Sequence, residues 1–381
     1  MTPAARLAAG IEILDQVIFA ARDGGAAADT IIQRYFSTRR YAGSKDRRAV
    51  RDLVFAVIRS AGERPVSGRA AVIGHARAHD PTLLALFGAA GHAPAQLVHG
   101  EPAAEAGLAP HWLRQMLEQR FAGDTDRQLA ALLDRAPLDV RVNRLKTTRA
   151  AVLANHPDWT VLPDTHHGLR LPSGTNVDQL PDYAEGWIEV QDHGSQIAAA
   201  ALAARPGETV VDLCAGAGGK TLALAAEMAC SGRLIACDTD RARLSQLPPR
   251  AERAGAVVDT RLLNPGSEAG ALADLMGQCD AVLIDAPCSG SGTWRRNPES
   301  RWRLTRERLA RLVATQAMLI RLGTSLLKPG GRLVYIVCSL LPPEGEAQLA
   351  DTPGLDHWQT RVLTPADQGC DGFFIAQSSR L

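Results

Sequence analysis

The 381-residue chain lacks any run of about 18 uncharged apolar residues, and it lacks a basic amino-terminal segment leading into an apolar core and a cleavage site. Neither membrane insertion nor secretion is therefore expected, and the expected compartment is the cytoplasm. No Cys-x-x-Cys pair occurs among the seven cysteines at 214, 230, 237, 279, 288, 338 and 370. An odd number without pairing argues against a disulfide framework and against a zinc site, so no metal is expected. Net charge is nearly absent too: the formal value of +1 neither favours nor excludes nucleic acid. There is no internal repeat. With 46% hydrophobic residues the chain is too apolar for a disordered protein and long enough for two or three packed domains.

Charge is present but unevenly spread. Between Arg34 and Arg51 stand seven basic residues (34, 39, 40, 45, 47, 48 and 51) against one acid, Asp46. Between Arg295 and Arg311 stand seven arginines against two glutamates. Solvated helix faces are the plain reading of each cluster; a phosphate-tracking surface is the sharper one if both flank one cleft. Trp294 and Trp302 lie among the second set, and core packing is the plainer reading of each.

The texture of the chain changes twice. Residues 1–130 are rich in Ala and Leu, with helical spacing in Ile11, Ile13, Leu14, Val17 and Ile18 and again in Val50, Leu53, Val54, Val57 and Ile58. Ser44 before Lys45 and Asp46 is the expected N-cap of the second of these helices. Residues 131–188 read as a small α/β segment: Leu138 to Asn143 alternates like a strand, Thr147 to Ala154 reads as a helix, and Trp159 to Leu162 as a second strand. From 189 to 381, short apolar runs at Thr209–Leu213, Leu234–Cys237, Ala281–Ile284 and Leu333–Val337 alternate with helical segments, which predicts a doubly wound α/β sheet. Gly372 to Ala376 is expected to add a last strand at the sheet edge.

The first βα turn reads Asp212-Leu-Cys214-Ala215-Gly216-Ala217-Gly218-Gly219-Lys220-Thr221. Glycines there let the backbone turn tightly and approach a ligand. A P-loop needs glycine at 214, where this chain has cysteine, and a dinucleotide fingerprint needs glycine or alanine at 221, where it has threonine. The carboxylate and ribose of S-adenosylmethionine remain as a third ligand for the same geometry. Asp238 follows Gly218 by twenty positions at the end of the second strand, where an acid reaches ribose hydroxyls in such sheets.

Two cysteines stand where a strand gives way to a loop beside polar residues: Cys288 in Asp285-Ala-Pro-Cys288-Ser289-Gly, and Cys338 in Val337-Cys338-Ser339. Cys230, Cys237 and Cys279 are read instead as small core hydrophobes. Thiolate is the reactive form, so a cation has to favour it; Arg295, Arg296 and Lys220 are the candidates.

Together these residues resemble the RNA cytosine-C5 methyltransferases of the RsmB/Nop family over nearly the whole chain. Ser44-Lys-Asp-Arg47 with Asp52-Leu-Val resembles that family's NusB-like helical extension, and Arg141-Val-Asn143-Arg-Leu-Lys146 resembles its pre-catalytic segment. Gln191-Asp192 with Ser195-Gln196 is similar to the lead into its catalytic domain. The Asp285 to Ser289 and Cys338-Ser339 motifs together are the most specific. The resemblance implies a Rossmann-like methyltransferase sheet after a NusB-like RNA-binding or docking domain, S-adenosyl-L-methionine as cofactor, and RNA as partner, ribosomal RNA in preference to transfer RNA. It implies Cys338 as nucleophile, Cys288 as the thiol that assists product release, and Asp285 facing both cytosine and cofactor. It also implies cofactor contacts from Cys214 to Lys220, from Asp238, and from Asn264, where many relatives carry an acid. A monomer is expected. The alternatives are a non-catalytic RNA-binding assembly factor and a nicotinamide-dependent oxidoreductase, which would have no use for two such thiols.

Overall fold

The computed structural model describes the chain from Met1 to Leu381, the side chain of Asp23 excepted. It divides into two compact units, residues 1–135 with 293–306, and residues 136–292 with 307–381. No helix among the described residues is long and apolar enough to cross a membrane.

The first unit is built of helices Pro3–Asp23, Ala28–Ser37, Ser44–Ser60, Gly68–Ala78, His111–Arg120 and Thr125–Leu133. The first of them starts at Pro3 under a Thr2 hydroxyl that accepts from the Ala5 amide, and ends at Gly24 in the left-handed region. Ile13, Leu14, Val17, Val50, Val54, Val57 and Ile58, which recur on one face of each helix, are all buried in one core. Ser44 is not the N-cap: Gly43 takes that position in extended conformation, and Ser44 is the first helical residue. One more residue fits the turn, a shift ordinary for helix ends.

Residues 293–306, expected from the sequence to belong with the third segment, pack among these helices instead. Arg301 is 1% exposed. Its guanidinium donates to the carbonyls of Ile58 at 2.7 Å, Ala61 at 2.8 Å and Pro298 at 2.8 Å. It thereby closes the carboxyl end of helix Ser44–Ser60, whose last carbonyls have no partner within the helix. Arg303 donates to the carbonyls of Gly25 and Ala26, Arg295 donates to that of Arg135, and the Glu299 carboxylate accepts from the Ala28 amide. Trp294 and Trp302 are buried. Arg295, Arg301 and Arg303 therefore do not form the phosphate-tracking surface that their spacing suggested, because backbone carbonyls already occupy them. Arg34, Arg40, Lys45 and Arg48 of the other cluster are exposed.

The second unit holds two sheets. Strands β1 (Leu138–Val142), β2 (Thr160–Val161), β3 (Gly168–Leu171) and β4 (Ile188–Val190) form a small antiparallel sheet in the order β2-β3-β1-β4. Buried amide bonds tie it to the rest of the unit: Asn143 donates to the carbonyls of Gly186 and Ala254, and Gln196 to those of Val140 and Gln191.

The larger sheet comprises β5 (Thr209–Asp212), β6 (Arg233–Asp238), β7 (Asp259–Leu262), β8 (Cys279–Asp285), β9 (Leu327–Val337), β10 (Gln359–Leu363) and β11 (Phe373–Ser379) in the order β10-β11-β9-β8-β5-β6-β7. From β9 to β7 all neighbours are parallel. Val210, Val211, Ile235, Val282, Leu283, Val334 and Ile336 are buried, as strands covered on both faces require. β11 is not at the edge. It pairs antiparallel with both β9 and β10, and its run Phe373-Phe-Ile-Ala is too apolar for a solvent-facing border. The edge falls to β10, whose Gln359, Thr360 and Arg361 are exposed. Chain order reverses between β5 and β8, so the crevice for chemistry lies at the carboxyl ends of β5, β6, β8 and β9.

Candidate active site

Asp212 ends β5, Asp238 ends β6, Asp285 ends β8, and Cys338 directly follows β9. The turn after β5 brings the backbone back sharply: Gly216 has φ 56° and Gly218 φ 87°, both left-handed. A β-carbon at 218 would lie 2.2 Å from Leu247 Cδ1 in the core, and one at 216 would lie 2.4 Å from the Arg243 guanidinium. A β-carbon at Gly219, by contrast, would meet nothing within 4 Å. Helix Gly219–Glu227 starts there, and no side chain caps its first amides.

The residues singled out around this turn are close to one another. The Gly216 amide donates to Asp238 Oδ2 at 2.7 Å, and the Asp240 amide donates to Asp238 Oδ1 at 2.7 Å. The Ala215 amide donates to the Cys237 carbonyl, and the Ala217 carbonyl accepts from Arg250. Asn264 is exposed in the loop after β7, and its neighbour Leu263 donates its amide to the Asp238 carbonyl. Cys214 packs with the core of the larger sheet, and burial pushes its thiol well up, so it has no nucleophilic character.

Asp212 lies beneath the turn. Its Oδ2 accepts from the Thr221 hydroxyl at 2.6 Å, while its Oδ1 is buried without a partner. Burial pushes its carboxyl up to about 7, the Thr221 hydrogen bond opposing and the charge of Asp285 adding.

Lys220 crosses from the turn to the thiols. Its Nζ donates to Asp285 Oδ2 at 2.7 Å and sits 5.5 Å from the centre of the Phe373 ring. Burial disfavours its charge, but Asp285 in contact and the nearby Cys338 and Asp212 outweigh burial and shift it upward. Lys220 is thus a firmly charged cation within electrostatic reach of Cys338.

Cys288 Sγ and Cys338 Sγ are 3.3 Å apart. The Cys288 thiol is held well above its ordinary value by its hydrogen bond to Cys338, by burial and by the charge of Cys338, with Glu344 adding. Of the two sulfurs, Cys288 is therefore held in its protonated form.

Sequence reasoning set Ser289 and Ser339 beside the thiols but missed Ser291 and Glu344, which complete the layer below them. Ser289, Ser291 and Ser339 join hydroxyls at 3.0 to 3.1 Å, and Glu344 closes the group. The only signal was an acid in Pro342-Pro-Glu344, five residues after Ser339 in the loop leaving β9.

Comparison with known proteins places relatives beside this chain. Residues 199–353 match the model of a family described as 16S rRNA methyltransferase RsmB/F, and residues 109–178 match a ferredoxin-like domain of the same RsmF/B type. A Synechocystis protein named probable ribosomal RNA small subunit methyltransferase B is 38% identical over 250 residues, covering 63% of this chain and 55% of its own length. The ribosomal RNA small subunit methyltransferase B of Erwinia tasmaniensis is 35% identical over 287 residues, covering 71% of this chain and 66% of its own. The chain thus spans between about half and two thirds of the length of these relatives. A solved methyltransferase homologue from Pyrococcus horikoshii is 27% identical, with a TM-score of 0.62, covering 70% of this chain and 94% of that one.

Proposed function

Because this chain belongs to the RsmB/F family of methyltransferases, we propose that it uses S-adenosylmethionine to methylate C5 of a cytosine in ribosomal RNA through a covalent Cys338 adduct. The observation that carries the reading is the 3.3 Å thiol pair beside the Lys220–Asp285 ion pair at the carboxyl ends of β8 and β9. A single nucleophilic thiol would serve many reactions. Two thiols in contact suit a reaction that makes and then breaks a carbon–sulfur bond, one sulfur to form the bond and the other to help break it.

The residues present fit S-adenosylmethionine. The open space over Gly219, the free first amides of helix Gly219–Glu227, and the Asp238 carboxylate beside Gly216 suit a carboxylate and a ribose. When bound, this cofactor supplies an electrophilic methyl group.

The protein's part is to make C5 of cytosine nucleophilic. The Cys338 thiolate, with the Lys220 ammonium nearby, bonds to C6, and the π pair of the C5–C6 bond shifts toward C5 and toward N3. N3 takes up a proton from water as charge reaches it, and Asp285, its carboxylate held by Lys220 through one oxygen, has its other oxygen to accept from that N3–H. Once C5 is alkylated, its remaining proton has to leave. Once Cys338 is bonded to C6, its charge no longer holds the proton on Cys288; Cys288 gives that proton to solvent and, directly or through a water, takes the C5 proton, and the C–H electron pair re-forms the double bond and expels the Cys338 thiolate. A base inside a duplex hides C5 and C6, so the target is single-stranded, looped or flipped.

Small-subunit ribosomal RNA transcribed with 5-fluorocytidine tests the reading, because fluorine at C5 blocks the last step. Incubated with cofactor, the wild-type protein is expected to give a denaturation-resistant adduct that Cys338→Ala abolishes. An adduct surviving in Cys338→Ala, or none with the wild type, overturns the assignment.

A further inference from the structure

Glu344 is 0% exposed, and no lysine or arginine is paired with it among the described residues. A carboxylate buried without a cation has to be offset by hydrogen bonds, and here every donor comes from residues that hold the thiols. Oε1 accepts from the Ser289 amide at 2.8 Å and from Gln316 Nε2 at 3.0 Å. Oε2 accepts from the Ser339 hydroxyl at 2.5 Å and from the Ser289 hydroxyl. Ser289 follows Cys288 and Ser339 follows Cys338. Gln316 also donates to the carbonyl of Pro287, the residue before Cys288. Glu344 is itself fixed, since its carbonyl accepts from the buried Tyr335 hydroxyl on β9 at 2.7 Å.

We propose that Glu344 is a positioning residue that clamps the Cys288 loop to the Cys338 loop and so sets the sulfur–sulfur distance on which breakdown of the adduct depends. A shift of either loop would break a charge-assisted hydrogen bond to a carboxylate that is itself fully buried. The charge of Glu344 also helps keep Cys288 protonated until the adduct has formed. The inference rests on the reading that Cys338 forms the adduct and Cys288 assists its breakdown.

The two steps respond differently. Attack by Cys338 needs one thiol, whereas release needs both in register. Glu344→Gln keeps the shape but turns an amino group toward existing donors. With 5-fluorocytidine RNA it is expected to give adduct within about threefold of the wild-type amount. With ordinary small-subunit RNA, a denaturation-resistant complex is expected to accumulate on the order of tenfold above wild type. General destabilisation would lower both together. Wild-type release without accumulation, or loss of both signals in a variant with wild-type melting behaviour, overturns the proposal. Should Glu344→Gln fail to fold, Ser339→Ala, which removes one donor, decides: a several-fold accumulation supports the clamp and none refutes it. A wild-type protein that forms no adduct with fluorinated RNA refutes instead the reading beneath.

Discussion

The glycine turn after β5 and the thiol pair beyond β8 and β9 lie at the same end of one sheet, yet they are held by different means. At the turn the backbone does the positioning: Gly216 and Gly218 occupy left-handed conformations, and Leu247 fills the place a side chain at 218 would take. At the thiols the backbone merely delivers Cys288 and Cys338, and side chains set their spacing through Ser289, Ser339 and Glu344. A backbone-made site fails when a residue is too large, while a side-chain-made site fails when a donor or acceptor is lost. Each is therefore expected to break independently of the other.

The sharpest separation is expected from Cys288→Ala. Turnover should fall on the order of a hundredfold or more, with enzyme trapped on ordinary RNA, while cofactor binding by calorimetry stays at the wild-type value. A cofactor affinity that falls with turnover would show that the two halves are one unit. Next comes Gly218→Ala, which forces a β-carbon into a left-handed position and against Leu247. The dissociation constant for S-adenosylmethionine should rise roughly 10- to 100-fold, equivalent to about 1.4–2.8 kcal/mol. Alkylation of the thiols by iodoacetamide should keep its wild-type rate, and a changed rate would count against independence.

The last effect, on stability and not on the site's chemistry, belongs to Asp212 beneath the turn. Its carboxyl holds a proton up to about pH 7 when folded but only to about 3.8 when unfolded. The contribution to stability is thus complete below the unfolded value and is lost as pH rises through 7. Between pH 5 and pH 8 the wild type should lose on the order of 2 kcal/mol relative to Asp212→Asn in urea unfolding. Parallel slopes for the two proteins would place the proton elsewhere.

Much of this was readable in advance, and the exceptions are instructive. The helices, the parallel strands and the chemical types at 285, 288 and 338 follow from local rules of spacing and from where apolar runs stop. The two arginine-rich segments carry the same number of basic residues and read alike, but Arg34, Arg40, Lys45 and Arg48 face solvent while Arg295, Arg301 and Arg303 donate to carbonyls of the helical unit. Burial alone separates them: it pulls the charge of Arg301 down to about 9, and carbonyls more than 200 residues away in sequence offset it. Glu344 escaped notice for the same reason, since its partners at 289, 316 and 339 come from three separate elements.

By itself the sequence determined which elements form and which residue types end the strands, because periodicity, turn glycines and apolar runs act over a few neighbours. Only the tertiary structure decided that Lys220 meets Asp285, that the two sulfurs touch, that Arg301 closes a helix and that β11 lies inside the sheet. Those outcomes depend on desolvation and on partners far apart along the chain, and such pairings have no local signature.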